Sequence, residues 1–183
     1  MRVSASTGTG FRWEARAKSK PKLAGEDIAA AVAWAAKNES KVFAALSSKQ
    51  RGELAEMMFM VKAARKGFAT AKPYGDSRRY DFVLDVGQRL WRVQVKSSSA
   101  KQYGSYMVNL QRNANGEVIA YDPSEIDFVV AYVMPCDAWF VIPVEALAGR
   151  KTAKLCLHDN PRSGKLGKYW EAWGLMTMRW PGE

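Results

Sequence analysis

Between Ser47 and Gly67 apolar residues return with the spacing of a helix, Leu54, Met57, Met58 and Val61 falling on one stripe. Ser47 followed three residues later by Gln50 has the form of a capping box. Gly67 stands where a helix would end in a left-handed turn, and Lys62, Arg65 and Lys66 crowd the last turn, where positive charge suits the helix dipole. The helix so predicted is about five turns long. From Asp81 the period changes to two. Asp81-Phe-Val-Leu-Asp85 and Leu90-Trp-Arg-Val-Gln-Val-Lys96 flank Val86-Gly87-Gln88, which predicts a hairpin opened by Asp81. In its second arm Trp91, Val93 and Val95 alternate with Arg92, Gln94 and Lys96, so one face packs and the other is polar.

Further along, residues 106–112 read as another strand, expected to lie beside this hairpin. Residues 126–134 and 139–142 are β-rich runs separated by Pro135-Cys136-Asp137, a second hairpin that completes the sheet. Pro143 to Leu147 predicts a short helix with proline in its first turn, and Tyr169 to Trp173 a final helical turn whose aromatics pack. Trp91 and Trp139, inside strands, are assigned to the core. The first 45 residues follow a different pattern. Thr7-Gly-Thr-Gly10 is flexible in character, Arg12, Arg16, Lys18, Lys20 and Lys22 form the densest basic stretch, and residues 26–36 predict an alanine-rich helix that breaks at Asn38-Glu39-Ser40. Residues 1–45 are therefore read as a basic, alanine-rich, partly helical extension, and 46–183 as the main domain. The extension fits a DNA-contacting arm, a helical cap or an oligomerisation element.

A chain of 183 residues with 48% hydrophobic content can build one compact core. No run approaches the span of a bilayer and the amino terminus lacks the apolar core of a secretory signal, so the expectation is a soluble, cytoplasmic protein without a membrane partner. Cys136 and Cys156 lack paired metal spacing and give no disulfide framework, which leaves reduced, partly buried thiols. The single histidine, His158, reads as a surface loop residue, which argues against chemistries built on several histidines. Nothing has the form of a phosphate-binding loop or a nucleophile elbow. The net charge is +10, unevenly spread: residues 1–66 hold 13 Lys or Arg against 6 Asp or Glu, 67–150 hold 9 of each, and 151–183 hold 6 against 3. Basic flanks around a neutral centre suit a protein that neutralises phosphate at its edges and keeps acids for a cation at its middle.

The candidate chemistry lies in the first hairpin. Gln94 and Lys96, two apart in a strand, point the same way, and an acid opening the adjacent strand faces them. That arrangement suits metal-dependent hydrolysis of phosphodiesters. The preceding helix offers Glu53 and Glu56; its apolar stripe places Glu53 nearer the edge, so periodicity alone does not select Glu56.

The order Gly52-x-x-x-Glu56 in a helix, Gly67 after it, Tyr80-Asp81 opening a strand and then Gln94-x-Lys96 resembles the PD-(D/E)xK nuclease superfamily. The usual acid of the last motif is replaced by Gln94, as in the branch of group I intron homing endonucleases of this fold. Arg92-Val-Gln-Val-Lys-Ser97, Asp127-Phe-Val-Val-Ala-Tyr132, Trp139-Phe-Val-Ile-Pro143 and Tyr169-Trp-Glu-Ala-Trp173 are similar to that branch, over roughly residues 51–173. The resemblance implies an α/β, restriction-endonuclease-like fold, a mixed β-sheet flanked by helices, with Glu56, Asp81, Gln94 and Lys96 meeting at one edge. It further implies hydrolysis of double-stranded DNA with Mg²⁺ or Mn²⁺. Asp81 would be the central metal ligand, and Gln94 a neutral and weaker one. Glu56 would supply charge directly or through water, and Lys96 would orient the attacking water and stabilise the phosphorane. Cutting both strands implies a symmetric dimer or tetramer.

Around that centre, Arg92, Ser97, Lys101, Gln102, Tyr103, Asn109 and Arg112 are candidate DNA contacts, because hydroxyls, amides, bases and aromatics there can meet phosphates or base edges. A Holliday-junction resolvase, which shares the helix Glu, the strand Asp and the Lys, stands as the rival activity. A DNA-binding module of this fold without cleavage and an RNA-processing relative of the tRNA-splicing endonucleases remain open alternatives.

Overall fold

The computed structural model of the chain describes residues 38–39, 41–75, 77–114, 117–147, 149–157 and 164–177. The basic stretch, the alanine-rich segment and His158 lie outside the described residues. Asn38, Glu39 and residues 41–45 are helical, so the break expected at 38–40 is not seen at those positions.

The main helix, α1, is Ser48–Arg65. Both bonds of the capping box form: Gln50 N–H donates to Ser47 Oγ (3.2 Å) and Ser47 N–H to Gln50 Oε1 (2.9 Å). At the other end Gly67, at φ +82°, lets its own N–H reach Ala64 O (2.9 Å) and that of Phe68 reach Ala63 O (3.0 Å), closing the helix as its sequence predicts. The buried face differs from the expected stripe. It is Ala55, Phe59 and Ala63, with Leu54 and Met58 at its margin, while Met57 and Val61 are half exposed. Alanines at i and i+8 around one phenylalanine let the helix approach the sheet closely; a count of large apolar side chains ranks methionine and valine above them.

The sheet beneath α1 has the order β1-β2-β3-β8-β9, with β1 Ala69–Ala71, β2 Phe82–Asp85, β3 Leu90–Ser98, β8 Phe128–Val133 and β9 Ala138–Pro143. Only β3 and β8 run parallel, so the sheet is mixed. Asp81 precedes the first strand residue but already donates its N–H to Val93 O (2.9 Å). Gly87, at φ +89°, makes the tight turn, its N–H bonded to Asp85 Oδ1 (2.7 Å). Strands β8 and β9 form the second hairpin and are buried at every position, as strands covered on both faces must be.

Residues 106–112 do not form one strand, although the first part of this run does lie against the second arm of the first hairpin. Two strands occur there, β5 Ser105–Asn109 and β6 Gln111–Ala114, broken at Leu110, whose side chain is buried and whose N–H bonds Lys151 O (2.9 Å). β5 joins β4 (Lys101–Gln102) and β10 (Thr152–Leu155) in a separate three-stranded sheet, and β6 pairs with β7 (Glu117–Ala120). The edge of β3 goes instead to β8, whose wholly apolar run needs a central position. Pro143 closes β9, with a 3-10 turn at Val144–Leu147, and two more such turns, Gly167–Tyr169 and Trp173–Met176, stand in place of a single aromatic turn.

The five-stranded sheet thus carries two cores. On one face Phe59 meets the rings of Phe82 (5.1 Å), Trp173 (6.1 Å) and Trp139 (6.4 Å). On the other, Val129, Ala131, Phe140 and Ile142 pack against Tyr106, Val108 and Leu155 of the smaller sheet. Trp91 and Trp139 are buried as expected, and Tyr169 and Trp173 pack. Cys136 is exposed and Cys156 half-buried, both as free thiols, so the former departs from a partly buried place. No described helix is long and apolar enough to cross a membrane.

Candidate active site

Alternation along β3 puts Trp91, Val93 and Val95 into the core and leaves Gln94 and Lys96 half-buried on the opposite side. The first hairpin then sets Asp81 across from them. Asp81 Oδ2 accepts from Gln94 Nε2 (2.5 Å) and from the Val95 backbone N–H (2.7 Å). Burial pushes the Asp81 carboxyl above its ordinary range. The charge of Glu56 acts in the same direction, and the Val95 N–H, the Lys96 ammonium and the Gln94 amide oppose it. Lys96 has no ion-pair partner among the described residues; its Nζ stands 5.3 Å from the centre of the Tyr121 ring.

Glu56 comes to the same place from α1. Because the buried face is Ala55-Phe59-Ala63, Glu56 borders it, while Glu53 is 57% exposed beside Lys49 (3.9 Å). One open cleft of about 450 Å³ is lined by Glu56, Asp81, Gln94 and Lys96 together with Ser48, Arg51, Gly52, Val95, Ser97, Asn109 and Gln111. All four residues singled out from the sequence meet there. Pattern reasoning missed Arg51 and Gln111, and also Lys72, whose Nζ lies 2.6 Å from Glu56 Oε2. Position 51 lies one residue before Gly52 of the helix motif, which is the only sequence signal that marks it.

A hard divalent cation commonly takes one or two carboxylates, with water and substrate oxygens completing its shell. Asp81 and Glu56 meet that requirement, although no group of three or more Asp, Glu, His or Cys converges among the described residues. The amide of Gln94 fits as well. Its nitrogen is engaged by Asp81 Oδ2 and, weakly, by Val95 O (3.4 Å), which orients the amide and leaves its oxygen without a hydrogen-bond partner among the described residues. Two carboxylates and a free amide oxygen at one cleft suit magnesium or manganese.

The expected DNA contacts do not all lie together. Ser97 and Asn109 line the cleft, and Ser97, Lys101 and Gln102 line an adjoining cavity of about 480 Å³ that shares Arg51 and Ser97 with it. Tyr103 is fully exposed at the tip of the β4–β5 hairpin, at φ +49° with Gly104 at φ +78°. The backbone of Arg112 lies in β6, paired with Ile119. Arg92 points elsewhere. Its Nε and one terminal nitrogen fork onto Asp127 (3.1 and 2.8 Å), its backbone N–H donates to the same carboxylate (2.7 Å), and its other donors reach the carbonyls of Pro123 and Ser124. It borders a different cavity with Arg78, Arg79 and Tyr80. This fork fastens the start of β3 to the start of β8. Arg92→Lys, which keeps the charge and loses the fork, is expected to cost about 1–2 kcal/mol in urea unfolding. In Arg92→Met, which removes the charge, the slope of DNA affinity against salt should stay unchanged; a shallower slope would make Arg92 a phosphate contact after all.

No curated protein matches the chain significantly. Among solved structures, a bacterial homing endonuclease, I-Ssp6803I, is 33% identical and superposes with a TM-score of 0.64 over 72% of this chain and 93% of its own. Hjc, a Holliday junction resolvase of Archaeoglobus fulgidus, is 19% identical with a TM-score of 0.37, over 52% of this chain and 74% of its own. MepB is 13% identical at 0.38, over 62% and 94%. The sequence model of the PD-(D/E)XK endonucleases matches residues 46–176. That match runs from the cap of α1 through both hairpins to the last aromatic turn, and the chain belongs to the PD-(D/E)XK endonuclease family.

Proposed function

We propose that the protein is a metal-dependent DNA endonuclease of the homing type, with Asp81, Gln94 and Glu56 holding the metal and Lys96 serving the attacking water. The observation that carries this reading is the convergence of these four side chains from one helix and one hairpin on a single cleft, with no hydrogen bond to the Gln94 oxygen among the described residues. Bound magnesium or manganese would supply positive charge to the phosphate oxygens. Asp81 is held ready by two donors, so little rearrangement is needed to bind a cation. Lys96 carries its charge on a strand rather than a loop, where it can orient water and stabilise the negative charge that grows on the phosphoryl oxygens as water adds and a P–O ester bond breaks. The groove formed by Arg51, Ser97, Lys101 and Gln102 beside the cleft supports a backbone path for DNA, with Tyr103, Asn109 and Arg112 as further contacts. The 33% identity to a bacterial homing endonuclease favours that role over junction resolution. Cleavage of both strands would use two copies of the site, in a dimer or tetramer.

The test is cleavage of a supercoiled plasmid carrying an uninterrupted candidate insertion locus, in Mg²⁺ or Mn²⁺. Nicking or linearisation that stops with chelator, and falls roughly 10²- to 10³-fold in Lys96→Ala, is the expected result. Binding without product in either metal would leave a DNA-binding module. Preference for four-way junctions over the locus would move the assignment to a resolvase.

A further inference from the structure

The structure gives Glu56 a partner that no motif predicts. We propose that Lys72 is a positioning residue of the metal site, holding Glu56 by one carboxylate oxygen from outside the cleft and leaving the other oxygen to the cation. The proposal rests on the metal-site reading above.

Lys72 Nζ bonds Glu56 Oε2 at 2.6 Å, and Oε1 has no hydrogen-bond partner among the described residues. Glu56 lines the cleft but Lys72 does not, so the ammonium does not take the place a cation would occupy. Three features fix where the lysine stands. It follows β1, whose last residue Ala71 pairs with Val83 of β2. It precedes Pro73, which restricts its backbone to an extended conformation. Its Nζ also lies 5.8 Å from the centre of the Phe82 ring, next to Asp81. One side chain thereby ties the helix that carries Glu56 to the strand that follows Asp81.

Electrostatics gives the tie a purpose. Two carboxylates sharing a cleft repel, and the field of Glu56 is felt at Asp81. A fixed positive charge behind Glu56 offsets that repulsion without filling the metal position. Groups that orient a ligand in this way typically contribute about 10- to 100-fold to metal affinity. The Lys72 side chain is 61% exposed, so the lower end of that range applies.

The experiment is Mn²⁺ titration by calorimetry, without DNA, on the full chain and on Lys72→Met, Lys72→Arg, Glu56→Gln, the Glu56→Gln/Lys72→Met double variant and Asp81→Ala. Lys72→Met should weaken Mn²⁺ binding about tenfold and Lys72→Arg should restore most of it. In the Glu56→Gln background the Lys72 substitution should add nothing. Melting of the metal-free Lys72→Met protein should stay close to that of the parent, because an exposed pair contributes little to stability. Parent-like Mn²⁺ affinity in Lys72→Met, or the same loss with and without Glu56, would overturn the proposal. If Asp81→Ala also binds Mn²⁺ like the parent, the metal-site reading itself fails; if Asp81→Ala loses the metal while Lys72→Met keeps it, only the assignment to Lys72 fails.

Discussion

Asp81→Asn is expected to abolish cleavage, by roughly 10³-fold or more, and at the same time to raise the melting temperature at neutral pH. The two effects have one cause. Asp81 is a carboxylate set among apolar strands beside Glu56, and both its burial and that neighbour hold its folded pKa above the ordinary value. The folded chain binds the Asp81 proton more tightly than the unfolded chain does. Stability from this group therefore falls as pH rises through the window between the ordinary carboxylate value and the raised one, and the whole penalty is present at pH 7. Asparagine keeps an oxygen to accept from the Val95 N–H and the Gln94 amide but carries no charge to desolvate. Each kcal/mol recovered is worth about 2–4 °C in a domain of this size. The gain should shrink as pH falls through that window toward pH 4, because the folded state takes up the Asp81 proton before the unfolded state does. Calorimetric melting at pH 4 and 7, with plasmid cleavage on the same preparations, checks both halves. A variant that melts lower at pH 7, or still cuts, would remove Asp81 from this role.

Phe59→Ala should have the largest effect on the fold, about 3–5 kcal/mol in denaturant unfolding. Phe59 is fully buried and its ring lies among those of Phe82, Trp139 and Trp173, so truncation opens a void that three rigid aromatics fill poorly. The loss reaches the site as well. Phe59 lies one turn beyond Glu56 on α1, and Phe82 follows Asp81 in sequence, so their contact sets the helix carboxylate against the strand carboxylate. Under folding conditions the variant should bind Mn²⁺ more weakly than the parent, whereas a void of comparable size on the other face, from Ile142→Ala, should lower stability without that loss. Equal Mn²⁺ affinity in Phe59→Ala and the parent would show that Glu56 is placed by other contacts.

Local rules made the helix ends, both hairpins and the pairing of Asp81 with Gln94 legible in the sequence, because each is written within a few adjacent residues: Ser47 with Gln50, Gly67, Gly87, and alternation along β3. Rules that count apolar bulk misplaced the buried face of α1. Ala55 and Ala63 are buried for their smallness, and Met57 and Val61 are half exposed despite their size. That error also favoured Glu53 over Glu56. The motif order singled out Glu56 where periodicity did not, and it was silent on Lys72, sixteen residues away beyond β1. The single strand expected at 106–112 failed for a similar reason: the partner of Leu110 is the Lys151 carbonyl, and nothing near 110 in the sequence announces it. Arg92 looked like a free base on the polar face because its acid, Asp127, is brought to it only by the parallel pairing of β3 with β8.

That parallel pairing also orders events in time. β3 meets β2 through the turn at Gly87, a closure within one hairpin, but meets β8 only after the whole excursion through β4, β5, β6 and β7 has been laid down. Hairpins close in about 1–10 μs, while contacts distant in sequence bear the entropy of a long loop and arrive late. The strand carrying Gln94 and Lys96 thus gains its neighbour with Asp81 early and its other neighbour last. A growing chain would carry the hairpin half of the candidate site before the scaffold that rigidifies it.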